Sequence, residues 1–338
     1  MNRSTMVRGS APLLALTACL AGCTGQQAGM ALAPQTVAPM RPSPADGLAQ
    51  PAAGLQIFTA NRNGRSVLAF RATASGNVAP TVRIAGSNTT LRDPDSIAHD
   101  AAGNIYVADD GGSRVAVFGK GANGNAKPSR MIGGSKSRLG PTEGLLVDPF
   151  GNLWVSDYAN NAVTDYAPGA HGNVAPADFI SGSNTQLNVP TGMAWNTHGS
   201  GALLYVANSG GASIVGFGAG AAGNVAPIVS IAGSNTGLSR PFALAFDSTG
   251  RLLVADETAG VLIFAPGATG NVAPVATISP FISADGIVTD AHDNIYVADF
   301  SAKAIEEFPP NADGYWLPTR TIKGHRTTLE GPNFLLLQ

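Results

Sequence analysis

Six positions set at near-regular intervals carry the side chains best suited to chemistry: Asp95, Glu143, Thr191, Phe242, Asp285 and Asn333. Each lies five residues before the last polar residue of a short apolar segment, as in "DSIAHD" (95–100), "EGLLVD" (143–148) and "DGIVTD" (285–290). Asp95, Glu143 and Asp285 are carboxylates, and Asn333 offers an amide oxygen. Around one narrow, partly desolvated opening, such acids cannot all ionise cheaply. Either their pKa values rise or a cation sits among them. Oxygen donors without His or Cys suit a hard ion, so Glu143, Asp285, Asn333 and Asp95 form a candidate site for one Ca2+ or Mg2+. Together with Thr191 and Phe242 they form a candidate binding face. In the competing reading the acids simply accept loop N–H groups at strand starts.

The elements that must position these residues are repeated. "GNVAP" occurs at 76–80, 172–176, 223–227 and 270–274, with "GNAKP" at 124–128. Four strand-length segments recur with it. They are exemplified by "SIAHD" (96–100), "NIYVAD" (104–109), "RVAVF" (114–118) and "TVRIAGS" (81–87). Four short strands in each repeat of about 47 residues are the signature of a β-propeller blade. "DAAGN", "DPFGN" and "DSTGR" place Gly103, Gly151 and Gly250 where a hairpin needs positive φ, and Asp293 takes that place in "DAHDN". The "YVAD"-type strand occurs five times, and "LQIFTAN" (55–61) makes a sixth. The array therefore starts on the second strand of a blade, and "GPNFLLLQ" (331–338) supplies the missing first one. The expected fold is all-β: a six-bladed β-propeller with four antiparallel strands per blade, its ring closed by the C-terminal strand joining the N-terminal blade.

"P-x-G-x-x-x-D-x-x-G-N-x-Y-V-A-D" resembles the NHL repeat of six-bladed propellers over most of residues 55–338. The strands "TEGLLVD" and "ADGIVTD" are similar, more weakly, to the gluconolactonase-like (senescence marker protein) propellers. In that family, acids and an Asn at inner-strand starts bind a divalent metal that helps open sugar lactones. The resemblance implies Glu143 and Asp285 as metal ligands and catalytic groups, and Asn333 as an amide ligand. Thr191 and Phe242 depart from that pattern. The reading that follows is a binding or scaffolding module for an unknown protein, peptide or glycan ligand on the acidic face. The alternative is a divalent-metal-dependent lactonase.

Other candidates are weaker. Asp109, Asp157, Asp256 and Asp299, with Asn208 and Asn61, end the second strands alike in every blade, as turn caps do. No two of His99, His171, His198, His292 and His325 share a metal-ligand spacing, and His99 reads as a core residue of an inner strand. "GSNT" (86–89, 182–185, 233–236), with Tyr158 and Phe300, offers polar and aromatic groups on the acidic face, or simply fixes its loops. "GNVAP" falls between the third and fourth strands, on the opposite face, and reads as scaffold.

The N-terminus reads as an export signal. "MNRSTMVRGSAPLLALTACLAGC" has a basic start and a short apolar run ending in Leu20-Ala21-Gly22-Cys23. This resembles the lipobox of bacterial lipoproteins. It implies a signal peptide over 1–22 and acyl chains such as palmitate on Cys23. Residues 23–54, rich in Pro and Ala, read as a disordered tether. The resemblance implies a lipid-anchored monomer of the bacterial cell envelope, on the periplasmic face of the outer membrane in a diderm. Cys19 and Cys23 are the chain's two cysteines, so cysteine chemistry is absent from the propeller. Formal charge is −2, or −4 without the two arginines of 1–22, which speaks against nucleic acid.

Overall fold

The computed structural model describes residues 50–198 and 202–338. The signal segment, Cys23 and the tether up to 49 lie outside the described residues. Short, largely apolar runs bounded by Gly, Asp and Pro yield strands, not helices, and the second and third strands of the blades are buried along nearly their whole length. These form six sheets of four antiparallel strands, one of them extended by the short parallel strand Gly314–Tyr315. The first blade pairs Pro332–Leu337 with Gln56–Asn61, in the register Ile57↔Leu337 and Thr59↔Leu335. The chain's last strand thus closes the ring as expected. The turn residues adopt the expected conformations, with φ of 83° at Gly103 and 61° at Asp293.

Two side chains in each blade anchor the core. The last apolar residue of the third strand is a buried aromatic: Phe70, Phe118, Tyr166, Phe217, Phe264 or Phe308. The outer strand contributes a buried isoleucine: Ile84, Ile132, Ile180, Ile231, Ile278 or Ile322. Full burial of such a side chain is worth about 1.5–3 kcal/mol.

The isoleucine also marks where one blade holds the next. Gly124 bridges in parallel to Ile84 of the preceding blade, and the same bridge joins Gly172 to Ile132, Gly223 to Ile180, Gly270 to Ile231 and Gly76 to Ile322. Gly314 pairs likewise with Ile278. The Asn that follows then accepts a backbone N–H from the loop leaving that preceding blade. Asn125 takes that of Asn88 at 2.7 Å, Asn173 that of Lys136 at 2.7 Å, and Asn224 that of Asn184 at 2.8 Å. The "GNVAP" string is scaffold, but its expected confinement to the far face is corrected here. It runs along the outer edge of the neighbouring blade and reaches the "GSNT" loop. That loop is fixed by its own threonine as well, Thr89 Oγ1 donating to Gly86 O at 2.8 Å.

Around the axis the inner strands approach one another closely. A Cβ on Gly144 would lie 2.2 Å from Thr191 O, on Gly192 2.4 Å from Phe242 O, and on Gly286 2.3 Å from Asn333 O. Glycine is required there because neighbouring backbone, not a yielding side chain, fills the space. Gly286→Ala is expected to cost about 1–3 kcal/mol through overpacking, read as a lower urea midpoint at unchanged slope.

Candidate functional site

Every inner strand carries a break in pairing near its start. The register shifts between Pro94 and Ile97, Thr142 and Leu145, Pro190 and Met193, Pro241 and Ala243, and Ala284 and Gly286. In the closing strand the shift is opposite Thr59 and Asn61. Such bulges re-aim side chains. The residues at or beside them are the six expected from the repeat, so Asp95, Glu143, Thr191, Phe242, Asp285 and Asn333 form one inner ring. All six are buried.

A second ring surrounds it, and sequence reasoning largely missed it. Arg62, Asp110, Tyr158, Ser209, Glu257 and Phe300 each follow directly on the polar residue that ends a second strand. Those polar residues are latches. Asp109 Oδ1 accepts the N–H groups of Arg92 (2.7 Å) and Asp93 (3.0 Å), Asp256 Oδ2 those of Ser239 (2.8 Å) and Arg240 (2.9 Å), and Asn61 Oδ1 that of Glu330 (2.7 Å). The second-ring residue then donates its own N–H to the residue two places before its inner-ring neighbour. These bonds are Arg62 to Gly331 O, Asp110 to Asp93 O, Glu257 to Arg240 O and Phe300 to Ser283 O, at 2.9–3.1 Å. The signal for this ring was available, because it is the position after "YVAD" that varies from blade to blade.

The rings hold five carboxylates, Asp95, Asp110, Glu143, Glu257 and Asp285. Two guanidinium groups oppose them. Arg62 Nη1 lies 2.9 Å from Asp95 Oδ1, and its Nη2 lies 3.5 Å from Asp110 Oδ2. Arg240 Nη1 lies 2.7 Å from Glu257 Oε2. Asn333 turns its amide nitrogen to Asp95 Oδ1 at 3.2 Å, and Ser283 Oγ donates to Asp285 Oδ1 at 2.5 Å. Thr191 Oγ1 donates to Pro241 O at 3.1 Å and so ties two blades together. Phe242 packs on Phe334, ring centres 5.3 Å apart. Phe334 reaches across the axis, its Cε1 lying 2.9 Å from where a Cβ on Gly192 would be. It closes the floor of the mouth. Beneath it lies a cavity of about 350 Å3 lined by the inner strands, with His99 and Trp195 toward its far end.

Three buried oxygens of the two rings have no hydrogen-bond partner among the described residues, Asp95 Oδ2, Asp110 Oδ1 and Asn333 Oδ1, and a fourth is Thr142 Oγ1, next in sequence to Glu143. Burial pushes Asp95 up to about 9, with Glu143 adding to the shift and Arg62 opposing it. Burial likewise raises Glu143 to about 8 against the pull of Arg62. Asp285 rises to about 7 by burial, the Ser283 bond opposing and Glu257 adding. Arg62 itself is held above its usual value, because Asp95, Glu143, Asp110 and Asp93 together outweigh its burial. One guanidinium faces two deeply buried acids. Arg62 opposes the rise at both, in contact with Asp95 and through space at Glu143.

Two of the four expected metal ligands, Asp95 and Asn333, are engaged with other groups of the chain. Among the described residues no three His, Cys, Asp or Glu side chains converge as a ligand set. Asp95 is engaged by Arg62 and Asn333, and Asn333 turns its nitrogen, not its oxygen, to that acid.

No protein-family model matches the chain, and no curated protein does. Solved structures resemble it in fold. A protein of unknown function from Bacteroides caccae aligns with a TM-score of 0.60 at 10% identity, over 85% of this chain and 99% of its own. A chain of a nidogen/laminin complex aligns with a TM-score of 0.60 at 13% identity, over 84% and 98%. A candidate 6-phosphogluconolactonase from Bacteroides uniformis aligns with a TM-score of 0.56 at 14% identity, over 81% and 80%. At these identities the likeness is one of architecture, the six-bladed propeller.

The raised carboxyl values fix a pH dependence. A carboxyl whose folded pKa lies above its unfolded value stabilises fully below the unfolded value, near 4, and loses that contribution as pH rises through the folded value. Urea stability is therefore expected to fall between about pH 4 and pH 9. Asp95→Asn should show a shallower fall over the same range.

Proposed function

We propose that the propeller is a non-catalytic binding module whose ligand seat is the acidic mouth. The observation that carries this reading is the contrast between scaffold and mouth. Latches, core anchors and clasps repeat around the ring, whereas the twelve mouth positions hold Arg, Asp, Glu, Asn, Ser, Thr, Tyr and Phe in no repeating order. Repetition serves the fold, and its loss on one face serves recognition. The floor formed by Phe334 makes the mouth a dish and not a conduit, and the buried unpartnered oxygens favour a ligand that brings hydrogen-bond donors. The lactonase alternative requires a metal to polarise a carbonyl, and here Asp95 faces Arg62, Glu257 faces Arg240 and Asp285 faces the Ser283 hydroxyl. Purified protein is expected to leave sugar lactones and simple esters unchanged, with or without added Ca2+, Mg2+, Mn2+ or Zn2+. Turnover that disappears in Asp285→Ala would show the binding-module reading to be wrong.

The module belongs, in this proposal, to a lipoprotein of the bacterial cell envelope. The support is the Leu20-Ala21-Gly22-Cys23 sequence behind a basic, then apolar, start. Two or three acyl chains on Cys23 give stable membrane attachment where one does not. Metabolic labelling with palmitate in a bacterial host should mark the wild-type chain and leave Cys23→Ser unlabelled. Labelling that persists in the variant would exclude Cys23 as the anchor.

A further inference from the structure

We infer that the ligand is an organic cation, its ammonium or guanidinium group seated on the axis between Glu143 and Asp285, above the Phe334–Phe242 floor. This rests on the binding-module reading and adds the ligand's chemical class.

Three observations converge on it. The first is the uneven distribution of charge. Arg62 serves Asp95 and Asp110, and Arg240 serves Glu257, which leaves Glu143 and Asp285 without a basic side chain in contact. Glu143 belongs to the third blade and Asp285 to the sixth, so the two face each other across the axis. The second is the set of unpartnered oxygens. Asp95 and Asn333, almost wholly buried, each leave one oxygen without a donor, and Asp110 and Thr142 do the same. All four atoms can accept, and three of them only accept once Asp95 and Asp110 are ionised, so they match a group rich in N–H and poor in acceptors. The third is the aromatic boundary. Phe242 and Phe334 form the floor, with Tyr158 and Phe300 in the outer ring, and ring faces attract cations.

Arg62 shows the same chemistry within the chain. One guanidinium already lies among these acids, in contact with Asp95 and near the Tyr158 hydroxyl's acceptor, Asp110. The axial position between Glu143 and Asp285 has the carboxylates without a guanidinium in contact. A ligand cation would complete there what Arg62 completes on its own side. The cation comes either as a free small amine or on a lysine side chain of a peptide. The recognising chemistry is common to both.

The test is isothermal titration calorimetry on the full chain carrying Cys23→Ser, near pH 8.5 and low salt. The probes are putrescine, agmatine and the tripeptide Gly-Lys-Gly, with glucose, gluconate and Ca2+ as comparisons. At least one organic cation should bind saturably with one-to-one stoichiometry and weaken as salt is added. Glu143→Gln and Asp285→Asn should each weaken it about tenfold, the loss of one charge-assisted contact. Asp178→Asn, at an exposed outer-strand carboxylate, should leave it unchanged. Preference for putrescine over Gly-Lys-Gly identifies a free amine, and the reverse a peptide. Circular dichroism establishes that the isosteric variants remain folded. Failure of all three cations overturns the inference, as does binding indifferent to both variants. Stoichiometric Ca2+ binding lost in the same variants overturns it in favour of a metal. Binding of glucose or gluconate alone would overturn the cation assignment while leaving the binding module standing. Lactone turnover would instead strike at the module itself.

Discussion

The close approach of six inner strands around the axis is the constraint on which the rest depends. Backbone meets backbone at Gly144, Gly192 and Gly286, where even a methyl group has no room. Strands this close cannot all keep regular pairing with their second strands while presenting long polar side chains upward. The bulges at the strand starts resolve the conflict, because they turn one residue per blade toward the mouth without widening the ring. The latches then fix the crossover loops over those bulges. A mouth with defined geometry is thus a by-product of closing the ring tightly.

Closure also concentrates charge, and the structure answers with its own cation. Five carboxylates meet two guanidinium groups within a partly desolvated dish, and Asp95 and Glu143 hold their protons far above the ordinary carboxylate range. The arrangement is asymmetric. Asp95, Asp110 and Glu257 are compensated by guanidinium groups of the chain, whereas Glu143 and Asp285, across the axis from each other, have no basic side chain in contact. That asymmetry separates residues that complete the fold from residues left for a ligand.

Much of this was legible in the chain. The blade number, the strand order and the closing strand followed from spacing alone, because each repeat must satisfy the same pairing and packing rules. The inner ring was legible too, since a fixed offset from the polar residue that closes each inner segment survives in every blade. Arg62 was not. It stands in a turn outside any repeated string, and nothing local links it to Asp95. The contact exists only because the ring places the first blade beside the second. The role of "GNVAP" was also misplaced, for a related reason. Its glycine and asparagine bond to the neighbouring blade, and a string that reads as a turn within one repeat serves as a fastener between two.

The strand that closes the first blade lies far from its partner in sequence, and the bond from Glu330 to Asn61 spans 269 residues. The loop joining them is nearly the whole molecule, so its closure entropy falls due in a single late step. Before that step the first blade lacks its axial strand, and the mouth lacks Asn333 and the Phe334 floor. Every feature of the mouth thus waits on one pairing, that of Pro332–Leu337 with Gln56–Asn61, between segments at the two ends of the described propeller.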